Sequence, residues 1–135
     1  MSQERSRCRA FSPHPAKNGT KVILSVDDEP GILTSRQLIL EIEGYDVLSA
    51  GDGVQALRIF TEQAIDLVLL DYLMPGMNGG AVAERIKNRN PQVPIVLISA
   101  SPVDELPLVC IDCFVSKGDG PRVLLEKIKQ LLATV

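Results

Sequence analysis

Three carboxylates, a hydroxyl and an ammonium group lie where apolar runs of this chain end. KVILSV (21–26) stops at Asp27-Asp28-Glu29, LVLL (67–70) runs straight into Asp71, PIVLISA (94–100) carries Ser99, and CFVS (113–116) is followed by Lys117. If these runs are neighbouring strands, Asp27, Asp28 and Asp71 face one another, and their repulsion raises the pKa of at least one of them. A divalent cation relieves that repulsion. All-oxygen ligands without imidazole or thiolate suit Mg2+, with Mn2+ able to substitute, and Mg2+ is typically held by one or two carboxylates, waters and a phosphate. Lys117 and the Ser99 hydroxyl would complete a pocket for an oxyanion bearing several negative oxygens. Taken singly, each residue has an ordinary role: Asp27 and Asp28 as helix caps, Asp71 as a turn acceptor, Ser99 as filler, Lys117 as a solvated terminus. Their convergence at four strand ends is what favours function.

The elements that must position these groups are legible in the hydrophobic pattern. Strands are expected at 21–26, 46–50 (DVLSA), 67–70, 94–100 and 113–116. Between them, Ile32, Leu33, Leu38, Ile39 and Ile42 recur at helical spacing from Pro30 to Glu43, with Pro30 suited to a first turn and Gly44 to the stop. Val54, Ala56, Leu57 and Phe60 mark a second helix after Gly53. Residues 80–89 form a third, stopped by Asn90-Pro91. Pro121 opens the last, with Val123, Leu124, Leu125, Ile128, Leu131 and Leu132 as its inner stripe. Pro102 and Pro107 leave residues 101–109 room for little more than one turn, so the fourth of five helices is expected to be short. Strand–helix alternation with fully apolar strands predicts an α/β fold: a doubly wound, five-stranded parallel sheet of the flavodoxin-like (βα)5 type, with right-handed crossovers. Ligands of such sheets bind at the carboxyl ends of strands beside a topological switch point, where the acids are.

Composition sets outer bounds. A chain of 135 residues fits one domain. No apolar run approaches a membrane span, and the first twenty residues lack the apolar core of a secretory signal. They read as a disordered basic tail of charge +3 (Arg5, Arg7, Arg9 and Lys17 against Glu4), which leaves −6 on residues 21–135 of a chain whose net charge is −3. An acidic folded part argues against binding nucleic acid through its phosphates. Three cysteines without an export signal favour a reducing cytoplasm. Cys110 and Cys113 form a C-x-x-C that leads into a strand and not a helix, and His14 is the only histidine, so small buried thiols are expected there and not a redox or zinc site. Neither a P-loop nor a G-x-G-x-x-G after a strand is present, so a nucleotide site is not indicated.

The pattern resembles the receiver domains of response regulators in bacterial two-component signalling, over residues 21–134. VILSVDDEPGI resembles the family's first strand and acidic pair, and EGYDVLSAGDGVQAL its second strand and helix. LVLLDYLMPGMNGG resembles its phosphoacceptor loop, VLISA its fourth strand and CIDCFVSK its fifth. The resemblance implies a stand-alone receiver or a piece of a longer protein, with Asp71 as phosphoacceptor. It implies Asp28 as a direct Mg2+ ligand, Asp27 acting through a metal-bound water, and the Leu73 backbone carbonyl as a third protein ligand. Ser99 would be the hydroxyl that follows the phosphoryl group, Lys117 its ion partner and Phe114 the switch aromatic. The implied partners are a sensor histidine kinase or histidine phosphotransfer protein and a downstream protein target. Gly118 follows Lys117 where the family usually has proline, Leu73 is apolar where polar groups are frequent, and the Ser99–Phe114 interval is short. Two rivals remain at this point: an aspartate-based phosphohydrolase, which would usually carry a second Asp where Leu73 stands, and a degenerate receiver that binds partners without being phosphorylated.

Overall fold

The computed structural model describes residues 19–100 and 110–133. Within them the expected alternation is present: β1 (Val22–Val26), α1 (Pro30–Ile42), β2 (Asp46–Ala50), α2 (Gly53–Glu62), β3 (Leu67–Asp71), α3 (Gly79–Arg89), β4 (Ile95–Ser99), β5 (Cys113–Ser116) and α4 (Pro121–Ala133). The five strands form one parallel sheet in the order β2-β1-β3-β4-β5. The chain runs outward from β1 to β2 and then back across to β3, so the adjacent ends of β1 and β3 bound the crevice where the winding reverses. The short helix expected within 101–109, and residues 1–18 of the tail expected at 1–20, lie outside the described residues. No helix among those described is long and apolar enough to cross a membrane.

Alternation along the strands divides the core between two faces. Val22, Leu24, Val26, Val68 and Leu70 pack with Ala56 and Phe60 of α2 and Val82, Ala83 and Ile86 of α3. Ile23, Leu67, Leu69, Val96 and Ile98 pack on the other face with Leu40 of α1 and Leu124, Ile128 and Leu132 of α4. Burial on both faces explains why β1, β3 and β4 are almost wholly apolar, apart from buried Ser25 and the end residues Asp71 and Ser99.

Local chemistry fixes where the elements start and stop. Asp52 caps α2 by accepting the Gln55 amide at 2.7 Å, and Asn78 caps α3 by accepting the Ala81 amide at 2.9 Å. Pro30 opens α1 where the missing N–H has no helical partner to lose. Gly44, at φ +98, ends α1 in a conformation that a side chain would strain. Buried Asp66 accepts the Val22 amide at 2.8 Å, and Asp112 accepts the Ile95 amide at 2.8 Å, so two carboxylates tie strand starts together at the end of the sheet opposite the acid cluster.

Three expectations need correction. Leu38 and Ile42 are exposed (58% and 81%) and take no part in the inner stripe of α1. The face turned to the sheet is set by Arg36 and Leu40, four residues apart, and a residue two positions from either lies about 200° round the helix. Val54 is likewise exposed. Cys110 and Cys113 are free thiols but only half-buried; burial pushes the Cys113 thiol above its ordinary pKa, with Lys127 opposing.

Gly79 is the tightest packing point behind the site. A Cβ there would meet the Asp71 carbonyl oxygen at 2.6 Å and the Tyr72 Cα at 3.0 Å, both backbone atoms that cannot swing aside. Alanine ordinarily favours a helix over glycine by about 1 kcal/mol. Here Gly79→Ala is expected to destabilise the fold by about 1–3 kcal/mol in denaturant melts, because the overpacking falls on β3 itself.

Candidate functional site

Parallel register puts the strand exits side by side. β1 and β3 pair from Ile23–Leu67 through Val26–Leu70, so Asp27 and Asp71 are the next residues of adjacent strands. Asp27 is still held in the sheet, its amide donating to the Ala50 carbonyl at 3.1 Å. One carboxylate oxygen each of Asp27, Asp28 and Asp71 lies within 4.8 Å of the others. Among the described residues this is the group of acids close enough to share a cation. Asp27 and Asp71 are buried, and Asp28 is exposed at the rim.

Neither Asp27 nor Asp28 caps α1. The cap position is Glu29, which makes no side-chain capping bond. Asp27 Oδ1 instead accepts the Glu29 amide at 3.0 Å, while its Oδ2 is buried without a hydrogen-bond partner. A buried carboxylate oxygen with no hydrogen bond, met only by ion pairs at 3.5 and 3.9 Å and lying beside two further carboxylates, fits a hard divalent cation, and all three donors are oxygen. The donor set therefore agrees with Mg2+.

Lys117 enters from the turn after β5. Its Nζ lies 3.3 Å from Asp71 Oδ1 and 3.9 Å from Asp27 Oδ2, with the side chain 31% exposed. Its amide donates to the Ser99 carbonyl at 3.0 Å, which ties the end of β4 to the lysine. The Lys117–Gly118 bond is trans. In place of a proline, the turn is held by its own polar groups: Ser116 N–H to Asp119 Oδ2 at 3.0 Å, Asp119 N–H to the Ser116 carbonyl at 3.0 Å, and Gly118 N–H to Ser116 Oγ at 3.3 Å. Gly120, at φ +86, then delivers the chain to α4.

The other expected residues are near by in different ways. Ser99 is the last residue of β4 and is buried, one register step beyond the Asp71–Ile98 pair. Phe114 lies half-buried on the edge strand β5, paired with Leu97. Leu73 follows Asp71 by two residues with its side chain 61% exposed, while the next residue, Met74, turns inward and is buried.

Arg36 is the residue that pattern reading missed. It is buried on the inner face of α1, with Nη2 3.5 Å from Asp27 Oδ2 and Nη1 3.4 Å from Ser25 Oγ. The signal was available, since Arg36 falls four residues after Ile32 and four before Leu40, on the stripe that meets the sheet. Burial pulls its guanidinium below the usual arginine range, and the negative charges of Asp27 and Asp71 push it back up. Two cations thus face three carboxylates.

Burial first, then the charge of Asp27, raise the pKa of Asp71 above that of an ordinary aspartate. Lys117 opposes both, and Asp28 adds to them.

Comparison with known proteins identifies the family of the chain. The response regulator receiver domain family matches residues 23–129. The chain is 37% identical over 115 residues to the DNA-binding response regulator MtrA of Mycolicibacterium smegmatis, covering 82% of this chain and 50% of that protein. It spans about half the length of the first curated relatives it matches. Among solved structures, response regulator TrrA of Thermotoga maritima in complex with Mg2+-BeF superposes with a TM-score of 0.79 at 37% identity, covering 83% of this chain and 99% of that one. TrrA in complex with the histidine kinase ThkA gives 0.78 at 36% identity, covering 84% and 99%.

The direction of the Asp71 shift has a consequence for stability. A carboxyl whose pKa is higher folded than unfolded favours the fold while protonated, and that contribution is lost as pH rises through the folded pKa. At neutral pH the ionised Asp71 therefore weakens the metal-free fold. Asp71→Asn is expected to melt at a higher temperature than the wild type at pH 7 in chelator, with the advantage shrinking as pH falls through the raised pKa toward the ordinary aspartate value. Melting curves at pH 7 and pH 4 check this; a variant less stable at pH 7 would contradict it.

Proposed function

Because the chain belongs to the response regulator receiver family of two-component signalling, we propose that it is a phosphorylation-dependent switch with Asp71 as the acceptor. The observation that carries this reading is a buried carboxylate at the end of β3, 3.3 Å from a lysine ammonium and sharing a cluster with two further acids. In this proposal residues 21–135 are the receiver unit, and the basic segment 1–20 lies outside it.

An Asp71 oxygen attacks phosphorus in line. For a phosphohistidine donor the P–N bond breaks, the imidazole leaves with the bonding pair and takes a proton, and an acyl phosphate forms on Asp71. Such transfer requires mainly positioning and neutralisation of charge. The sheet supplies the first through the fixed ends of β1 and β3, and Lys117 supplies part of the second. Asp28 and Asp71, with the Leu73 carbonyl, would hold Mg2+, and Asp27 would hold it through water. When bound, Mg2+ offsets negative charge on the phosphoryl oxygens. Mn2+, another oxygen-seeking cation, would serve in its place.

An open groove of about 880 Å³ between α1 and α4 leads up to the site. Ile32 and Ile39 line one side and Pro121 and Leu124 the other, with Glu29 and Lys117 at its edge. A histidine kinase or phosphotransfer protein seated there would present its phosphorylated imidazole to Asp71. Once made, the acyl phosphate places roughly −1.5 to −2 charge beside Lys117 and Ser99. The Ser99 hydroxyl moves toward that charge, and Phe114 turns into the space it leaves, changing the face offered to a downstream protein target. The local event biases an element with two arrangements of similar energy.

Incubation with acetyl phosphate, followed by intact-protein mass spectrometry, tests the reading. A single phosphoryl group should be incorporated with Mg2+ or Mn2+, the rate should fall by at least about tenfold in chelator, and Asp71→Asn should take up none. Full labelling of Asp71→Asn, or indifference to chelator, would overturn it.

A further inference from the structure

Arg36 is built into the acid cluster from behind. The metal face of the site, where Asp28 stands, is open; Arg36 reaches Asp27 from the helix side and is itself buried. Arginine is protonated at any pH at which a protein folds, and its planar head offers several donors in a fixed fork. One amino group lies 3.4 Å from Ser25 Oγ on β1 and the other 3.5 Å from Asp27 Oδ2. The guanidinium is thus seated by the strand that carries the acids. Asp27 is then held at both oxygens: Oδ1 by the Glu29 amide, and Oδ2 between Arg36 and Lys117, at 3.5 and 3.9 Å. Lys117 is partly exposed and also pairs with Asp71, so it is free to follow a phosphoryl group. Arg36 is buried and has no comparable freedom.

We propose that Arg36 is a positioning residue that acts as a permanent counter-ion to Asp27, restraining this carboxylate and holding the affinity of the acid cluster for Mg2+ below what three carboxylates alone would give. The proposal rests on the Mg2+ reading of the site. Its physical content is a competition: the guanidinium and a divalent cation neutralise the same carboxylate, so each weakens the hold of the other. A cation fixed in the protein leaves the site short of one neutralising charge where it would otherwise lack two. Metal then binds and leaves readily, and the remaining attraction falls to Asp28 and Asp71.

The sign of the effect separates this role from a merely structural one. Loss of a packing residue beside a metal site loosens the ligands and weakens binding; loss of a competing charge strengthens it. Calorimetric titration of the full chain with MgCl2 would compare the wild type with Arg36→Gln, which keeps polar contacts but drops the charge, and Arg36→Lys, which keeps the charge. The glutamine variant is expected to bind Mg2+ about tenfold more tightly and the lysine variant within about twofold of the wild type. In parallel melts, Mg2+ should raise the melting temperature of Arg36→Gln by more than that of the wild type. If Arg36→Gln is unfolded in chelator, refolding on addition of Mg2+ supports the proposal and failure to refold overturns it. Equal or weaker Mg2+ binding by Arg36→Gln, with the wild type binding normally, overturns the role of Arg36 alone. Absence of Mg2+ binding by the wild type overturns the metal reading and this inference with it.

Discussion

Crowding of like charge at one end of the sheet is the constraint around which the rest of the molecule is arranged. Asp27 and Asp71 are buried on adjacent strands, and Asp28 joins them at the rim. Two buried carboxylates left to themselves would separate or take up protons, since desolvation and mutual repulsion both act against ionisation. The fold prevents the first response by fixing both backbones in the sheet: the β3–β4 ladder runs to Asp71, and the Asp27 amide donates to the Ala50 carbonyl. It limits the second with two cations of different mobility. What remains is an acid cluster short of positive charge, a standing demand for a cation and, with it, an oxyanion.

The supporting parts follow from that demand. A parallel sheet covered on both faces gives strands that are rigid and apolar to their ends, so polar side chains can appear where the strands emerge. Gly79 lets α3 start hard against the Asp71 backbone. The turn from Ser116 to Gly120 is tied by hydrogen bonds of its own and carries Lys117 back over Asp71 without needing a proline. On the far side, Asp66 and Asp112 spend their charge on strand amides and on Lys87, which keeps them out of the site's electrostatics. The same residue type ties strands at one end of the sheet and crowds into an acid cluster at the other, where Asp27 Oδ2 has no hydrogen-bond donor.

Much of this was legible from the residues. Largely apolar runs ending in acids located the strands and, with them, the cluster, because a doubly buried strand has few polar positions (Ser25 is the one inside β1) until it leaves the core. Helix faces were harder to read. Ile42 and Leu38 look like core residues of α1, yet the inner face is set by Arg36 and Leu40. Hydrophobicity alone misassigned the stripe because one of its members is an arginine, whose guanidinium meets Asp27 and Ser25 beneath the helix. That pairing joins positions nine apart in the chain through a strand and a helix, and periodicity within a single element cannot disclose it. The position of Lys117 could be expected from the strand it follows, but its route could not, since the turn depends on bonds among Ser116, Gly118 and Asp119.

The central claim is that the cluster stands ready for a cation and a phosphoryl group together, with Asp71 as the anchoring oxygen. Fluorine-19 NMR of the protein with beryllium fluoride tests that directly, because beryllofluoride imitates a phosphoryl group only where a carboxylate and a cation are both in position. Bound fluoride resonances should appear with Mg2+ present, be absent in chelator, and be absent from Asp71→Asn. Bound resonances of equal strength without Mg2+, or none from the wild type with it, would contradict the account.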